Sequence, residues 1–144
     1  MPLCASQTEI PGCKINAVTV GSPCGTPWQR LLGTRANALV VGPRSALDAF
    51  LRCAATSFRP PVVSVACRDG LALTRAETLV LRDVDRLHAD DQARLTAWLD
   101  QPENASTQVI SVTSIPLFDQ VLTHRFGETL YYRLNTISLD VRLA

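Results

Sequence analysis

Short apolar runs recur along the chain, each followed by a polar turn and then by apolar positions three and four residues apart. The runs are Ala38–Val41, Val62–Ala66, Thr78–Leu81, Gln108–Val112 and Thr136–Val141. Apolar stretches of this length, nearly free of charge, are the pattern of strands buried on both faces of a parallel sheet. Between them the spacing changes to that of helices. Leu47, Phe50, Leu51 and Ala54 fall on one face of a helix over about 46–56, and Leu95, Trp98 and Leu99 on one face of a helix that opens with Asp90 and Asp91. Leu117–Leu122 and Glu128–Leu134 read as two short helices, and a brief one is placed at Trp28–Leu32, ended by Gly33. Strand and helix in alternation predict an α/β domain with a parallel five-stranded sheet. Residues 1–27 differ. Pro2, Pro11, Gly12, Gly21, Pro23, Gly25 and Pro27 break any period, so this segment is read as a flexible arm in which only Ile15–Val20 has the pattern of a short strand. Residues 28–144 form the core.

Composition narrows the function classes. With 144 residues the chain is one domain, and its 14 basic and 13 acidic residues leave a net charge of +1, no bulk field for nucleic acid or membrane. No apolar stretch approaches the roughly 20 residues of a membrane span, and Met1–Lys14 has neither the basic start nor the apolar stretch of a signal peptide, so a cytoplasmic protein is expected. The five cysteines, Cys4, Cys13, Cys24, Cys53 and Cys67, form no C-x-x-C pair, and no metal site is expected. Arg82, Asp83, Asp85 and Arg86 cluster just after the run Thr78–Leu81, where ligands of open α/β sheets bind. Asn104-Ala105-Ser106 fits a glycosylation acceptor but is read as a turn.

Two segments carry a resemblance. Thr78-Leu79-x-Leu81, followed by Leu87, Asp90, Gln92-Ala93, Leu95 and Leu99, resembles the Walker B strand and following helix of bacterial enhancer-binding proteins, the AAA+ activators of sigma-54 RNA polymerase. Phe126-x-Glu128-x-Leu130-Tyr131-Tyr132-Arg133-Leu134-Asn135 resembles the arginine-finger segment of that family. Gln108–Ser114 is similar to its sensor strand, and Ala38–Ala55 to its P-loop strand and helix. The resemblance spans about Leu31–Val141. It implies a P-loop NTPase-like, three-layer α/β/α AAA+ core, ATP and magnesium as the family's ligands, and transcription regulation as its setting. The chain reaches Ala144 where a lid would begin, and Arg68–Glu77 occupies the place of the family's sigma-54-gripping loop.

The chemistry departs from the family pattern. A working P-loop, G-x-x-x-x-G-K-[ST], cradles phosphates with backbone N–H groups and neutralises them with Lys. Counted from Gly42, the second Gly is Leu47, the Lys is Asp48 and the last position is Ala49, while Pro43 removes an N–H. Exchanging Lys for Asp changes one contact with phosphate at about 4 Å from roughly −4 to +4 kcal/mol at an effective dielectric of about 20. The magnesium-binding Asp corresponds to Arg82 and the catalytic Glu to Asp83; Ser114 stands for the sensor Asn and Gly127 for an Arg. Of the two finger arginines Arg133 remains, with Arg125 one place early.

The expected site is therefore a vestigial nucleotide site made of Gly42, Asp48, Arg82, Asp83 and Ser114, with Arg133 as a finger-like residue in a structural ion pair and no catalytic residue. Asp48 and Arg82 exchange the family's charges, which predicts a salt bridge plugging the site, with Arg44 or Asp83 as third member. The alternative is that both side chains reach solvent at an open cleft. Tyr131 and Tyr132 are read as core packing. The function expected is a catalytically inactive AAA+ module of a sigma-54-type regulator, without bound cofactor, contacting a protein partner such as another regulator or a transcription component, making no direct DNA contact, and monomeric or weakly dimeric. The alternative is an ATP-binding regulator or weak ATPase of transcription activation.

Overall fold

The computed structural model describes residues 14–20, 30 and 32–143. Six parallel strands form one sheet in the order β1-β6-β2-β5-β4-β3: β1 Lys14–Val20, β2 Ala38–Val41, β3 Val62–Ala66, β4 Thr78–Arg82, β5 Gln108–Thr113 and β6 Ile137–Leu143. The five expected strands are β2 to β6. The sixth, β1, pairs with β6 from Lys14↔Ser138 to Val20↔Leu143, with an irregularity between Ile15 and Val18. Part of the segment read as a flexible arm thus belongs to the sheet, over nearly the residues whose pattern allowed a strand; the rest of that segment lies outside the described residues.

Among the described residues the sheet is flanked by the helices α1 Arg44–Ala54, α2 Ala89–Asp100, α3 Leu117–Leu122 and α4 Glu128–Leu134, and Arg30, Leu32 and Gly33 are helical as well, where a brief helix was expected. Alternation of side chains along each strand divides the core between two faces. Ala38 and Val40 of β2, Val80 of β4 and Ile110 and Val112 of β5 pack under Ala46, Leu47 and Phe50 of α1. Leu39, Leu79, Leu81 and Val109 face the other way, against Leu95 and Trp98 of α2, Leu117 of α3 and Leu130 and Leu134 of α4. Covering both faces is why the strands read as continuous apolar runs.

Polar struts hold the amino ends of the strands. Gln108 is buried, and its Nε2 donates to Leu32 O and Ala36 O, both at 2.9 Å. Asn37 Nδ2 donates to Arg133 O at 3.1 Å, while its Oδ1 accepts the Val109 N–H at 2.8 Å. Asn104 is buried too and donates to Trp98 O at 2.9 Å. It locks a turn and is not presented for modification.

Candidate functional site

The ends of β2, β4 and β5 come together at the carboxyl edge of the sheet, where open α/β folds bind ligands. Between β2 and α1 there are only two residues, Gly42 and Pro43. Pro43 is the N-cap, with φ −58° and ψ 149°, and its fixed φ suits entry into a helix. The helix starts at Arg44, two residues earlier than the apolar spacing indicated, and Leu47 N–H already donates to Pro43 O at 2.9 Å. Asp48 therefore sits in the second turn of α1, and the eight positions counted from Gly42 as a P-loop do not form a loop.

Gly42 serves a different contact. Its N–H donates to Thr113 O at 3.3 Å. A Cβ there would lie 2.4 Å from Val141 O and 2.8 Å from Val141 Cγ2, so the space a side chain would occupy is filled by β6. The close approach is of strand to turn.

Arg82 ends β4 and its guanidinium donates to Asp48 Oδ1 at 3.3 Å. The expected pair is formed, but its side chains are 47% and 45% exposed, so it bridges α1 and β4 at the surface and does not plug a pocket. Asp83 follows in the left-handed region, φ 55° and ψ 49°. It joins neither Asp48 nor Arg82; its carboxylate lies 3.6 Å from Arg44 and 3.7 Å from Arg68.

Asp85, noted in the charge cluster but given no role, is the more enclosed acid of the corner. The buried Thr113 hydroxyl donates to Asp85 Oδ1 at 2.8 Å and accepts the Ile115 N–H at 3.2 Å, tying β4's corner to β5's end. The alternation Asp83-x-Asp85 was the available signal. Beside these acids opens a cavity of about 640 Å³, lined among others by Arg44, Asp83, Asp85, Ser114, His124 and Arg125. Gly42, Asp48 and Arg82 lie outside that lining. Of the five residues expected to share one site, only Asp83 and Ser114 share the cavity. Among the described residues, no three His, Cys, Asp or Glu side chains gather as a metal-ligand set. Cys67, at the carboxyl end of β3, is buried, and burial with the nearby Asp83, Asp85 and Asp91 pushes its thiol up to about 12. It is not a nucleophile at neutral pH.

Arg133 lies at the opposite edge. Its guanidinium bonds the Asp100 carboxylate and donates to Leu99 O at 3.2 Å, at the carboxyl end of α2, where a cation meets the helix dipole favourably. The tyrosines divide. Tyr131 packs against Phe118 with ring centroids 5.7 Å apart, and burial raises its pKa. Tyr132 is 57% exposed, which corrects its reading as core. With Ile115, Phe118 and Leu122 it makes up four of the five large apolar side chains exposed among the described residues, and Phe118, Leu122 and Tyr132 rim a cavity of about 370 Å³ floored by Val121 and Phe126.

The family described as the sigma-54 interaction domain matches residues 56–142. This chain belongs to that family. The matched stretch begins just after α1, runs into β6, and leaves out both α1 and the turn at Gly42. Among solved structures, NtrX from Brucella abortus in complex with ATP superposes with a TM-score of 0.59 at 17% identity, over 88% of this chain and 37% of that one. Another crystal structure of the same NtrX gives 0.61 at 16%, over 85% and 38%. RuvB T158V of Thermotoga maritima gives 0.51 at 15%, over 78% and 41%. These likenesses show the AAA+, P-loop NTPase-like fold, and the chain spans well under half the length of each. Among curated proteins no relative matches.

Proposed function

We propose that this sigma-54 interaction domain is catalytically silent and works in a bacterial transcription regulator through contact with another protein. The observation that carries this reading is the two-residue turn from β2 into α1. A phosphate cradle needs a run of small residues whose N–H groups converge on the ligand, and a Lys to meet its charge. Here the helix begins at once, Gly42 is pressed against Val141, and the position counted as Lys is Asp48, paired with Arg82. The residues present do not fit ATP and magnesium in the family's mode. The exposed apolar side chains of α3 and α4 support action through protein contact, since contiguous apolar surface of this kind marks interaction sites. The partner is another regulator or a transcription component. Near-neutral charge supports a role without direct DNA contact, and no helix among the described residues is long and apolar enough to cross a membrane; the setting proposed is the cytoplasm.

Titration of fluorescent ATP with magnesium into the protein is expected to show no saturable binding below millimolar concentration. Sub-millimolar, competable binding refutes this reading and favours the second, an ATP-binding regulator or weak ATPase. One observation supports that alternative: the cavity of about 640 Å³ sets Arg44 and Arg125 beside Asp83 and Asp85 at the carboxyl ends of the strands.

A further inference from the structure

Gln92 of α2 is buried, and its amide joins two walls. Its Nε2 donates to Leu87 O at 3.0 Å and to Arg125 O at 2.9 Å, while its Oε1 accepts the Gly127 N–H at 2.9 Å. The corner after β4 and the turn between α3 and α4 are thus fixed to each other, with His124 of that turn at a left-handed φ of 62°. Leu87 and Arg125 both line the cavity of about 640 Å³. Its charge is uneven. Arg44, Arg86 and Arg125 line it against Asp83 and Asp85, and both carboxylates are already engaged: Asp83 by Arg44 and also by Arg68, Asp85 by the Thr113 hydroxyl and by Arg86 Nε at 3.7 Å. The exposed Arg125 guanidinium has neither an ion-pair nor a hydrogen-bond partner among the described residues. A cation left over beside two neutralised acids favours an anion. The adjoining ground is apolar. His124 lines this cavity and also the one of about 370 Å³ that Phe118, Leu122 and Tyr132 rim, and Ile115 lines the charged one.

We propose that the two cavities form one docking surface for a peptide segment of the partner that is acidic and apolar by turns, its carboxylate meeting Arg125 and its neighbouring apolar side chain entering the cavity that Leu122 and Tyr132 rim. This rests on the reading that the domain acts through protein contact, and it names the chemistry of the partner. Charge complementarity selects the occupant, since a free arginine beside apolar ground suits an acidic motif. Glu128 lines the apolar cavity and has no ion-pair partner among the described residues. It disfavours a uniformly anionic occupant such as a layer of lipid headgroups, whereas a peptide offers it N–H groups. Because Gln92 already fixes the walls, little ordering of the domain opposes binding.

Selection from a random peptide library displayed on phage, run against the full chain, tests this surface. The expected outcome is enrichment of peptides with an acidic residue beside leucine, phenylalanine or tryptophan. In anisotropy titrations a fluorescent copy of an enriched peptide then binds Arg125→Glu and Leu122→Ser about tenfold or more weakly than the unaltered protein, and binds the latter less tightly as salt rises. Replacing the peptide's acidic residue by its amide removes the difference between the unaltered protein and Arg125→Glu. Both substituted residues are exposed; circular dichroism checks that the variants fold, and Arg125→Gln stands in should Arg125→Glu not fold. No enriched peptide, peptides without acidic residues, or binding indifferent to either variant overturns the surface while leaving the proposed function to another face. A concentration-dependent dimer that Leu122→Ser dissolves in sedimentation equilibrium also overturns it, because a second copy then covers the apolar half. Sub-millimolar binding of fluorescent ATP that Arg125→Glu abolishes assigns the cavity to nucleotide and overturns both readings.

Discussion

Gly42→Ala tests whether this glycine serves strand packing. The added methyl would sit 2.4 Å from Val141 O, 2.8 Å from Val141 Cγ2 and 3.2 Å from Val141 C, whereas ordinary contact is about 3.5–4.0 Å. Two of these three atoms are backbone, so no change of rotamer relieves the overlap; β6 and the turn must move apart. Overpacking of this kind costs about 1–3 kcal/mol. Replacing glycine also removes freedom from the unfolded chain, which returns about 0.4–1 kcal/mol. Because the clash involves backbone the upper part of the range applies, and a net loss of about 2 kcal/mol is expected, read from the midpoint shift in urea unfolding at unchanged slope. In a domain of this size that lowers Tm by roughly 4–8 °C. Unchanged or increased stability refutes the reasoning, because it would mean that the space beside Gly42 is open, as a ligand cradle requires.

A double-mutant cycle on Asp48→Ala and Arg82→Ala is expected to give a coupling of about 0–1 kcal/mol that fades with added salt, since both side chains are nearly half exposed; strong, salt-insensitive coupling would place the pair in a buried plug. Burial and the neighbouring Asp83, Asp85 and Asp91 push the Cys67 thiol up to about 12, from an ordinary value of about 9. The unfolded chain therefore releases this proton first, and the stability linked to it is full below about pH 9 and falls as pH rises from there toward 12. Cys67→Ala should flatten that fall in denaturation curves taken at several pH values, and in the native protein Cys67 itself should resist thiol reagents at neutral pH, as peptide mapping of the labelled sites would show. Gln108→Ala leaves the Leu32 and Ala36 carbonyls without their donor and is expected to cost about 2–4 kcal/mol in urea unfolding; a loss below about 1 kcal/mol would show that solvent replaces the amide.

The alternation of apolar runs and helical spacing made β2 to β6 legible: in the central strands β2, β4 and β5 both faces are covered and burial marks nearly every residue, whereas in β3 only Val65 is buried and along β6 buried and more open positions alternate. The start of α1 was less legible. Gly42-Pro43-Arg44-Ser45 has turn composition, yet Pro43 as N-cap lets the helix start at Arg44, and local composition does not distinguish the two. The pairing of β1 with β6 joins residues more than a hundred positions apart, a relation no window of sequence contains. Within the candidate site the sequence signalled charge exchange at Asp48 and Arg82, and the two do meet. It gave no signal that Asp83 would turn to Arg44 and Arg68, since that follows from its left-handed backbone. Tyr131 and Tyr132 look alike in the sequence, but successive residues of a short helix point about 100° apart, and only one meets the core.

The place of β6 has a consequence for synthesis. It is the latest strand in chain order, yet it lies between the two earliest, pairing with β1 on one side and β2 on the other. While the ribosome is still short of Ile137, β2 has one bare flank, and β1 has no strand to join among the described residues. The hairpin-free stretch β3-β4-β5 can assemble on β2 beforehand, so a nascent chain would carry a half-built sheet whose open flank is sealed only by insertion of a late segment. Such long-range closure is slow relative to local contacts. A chain released before that insertion would offer the bare flank of β2, in addition to the outer edge of β3, to chaperones and proteases.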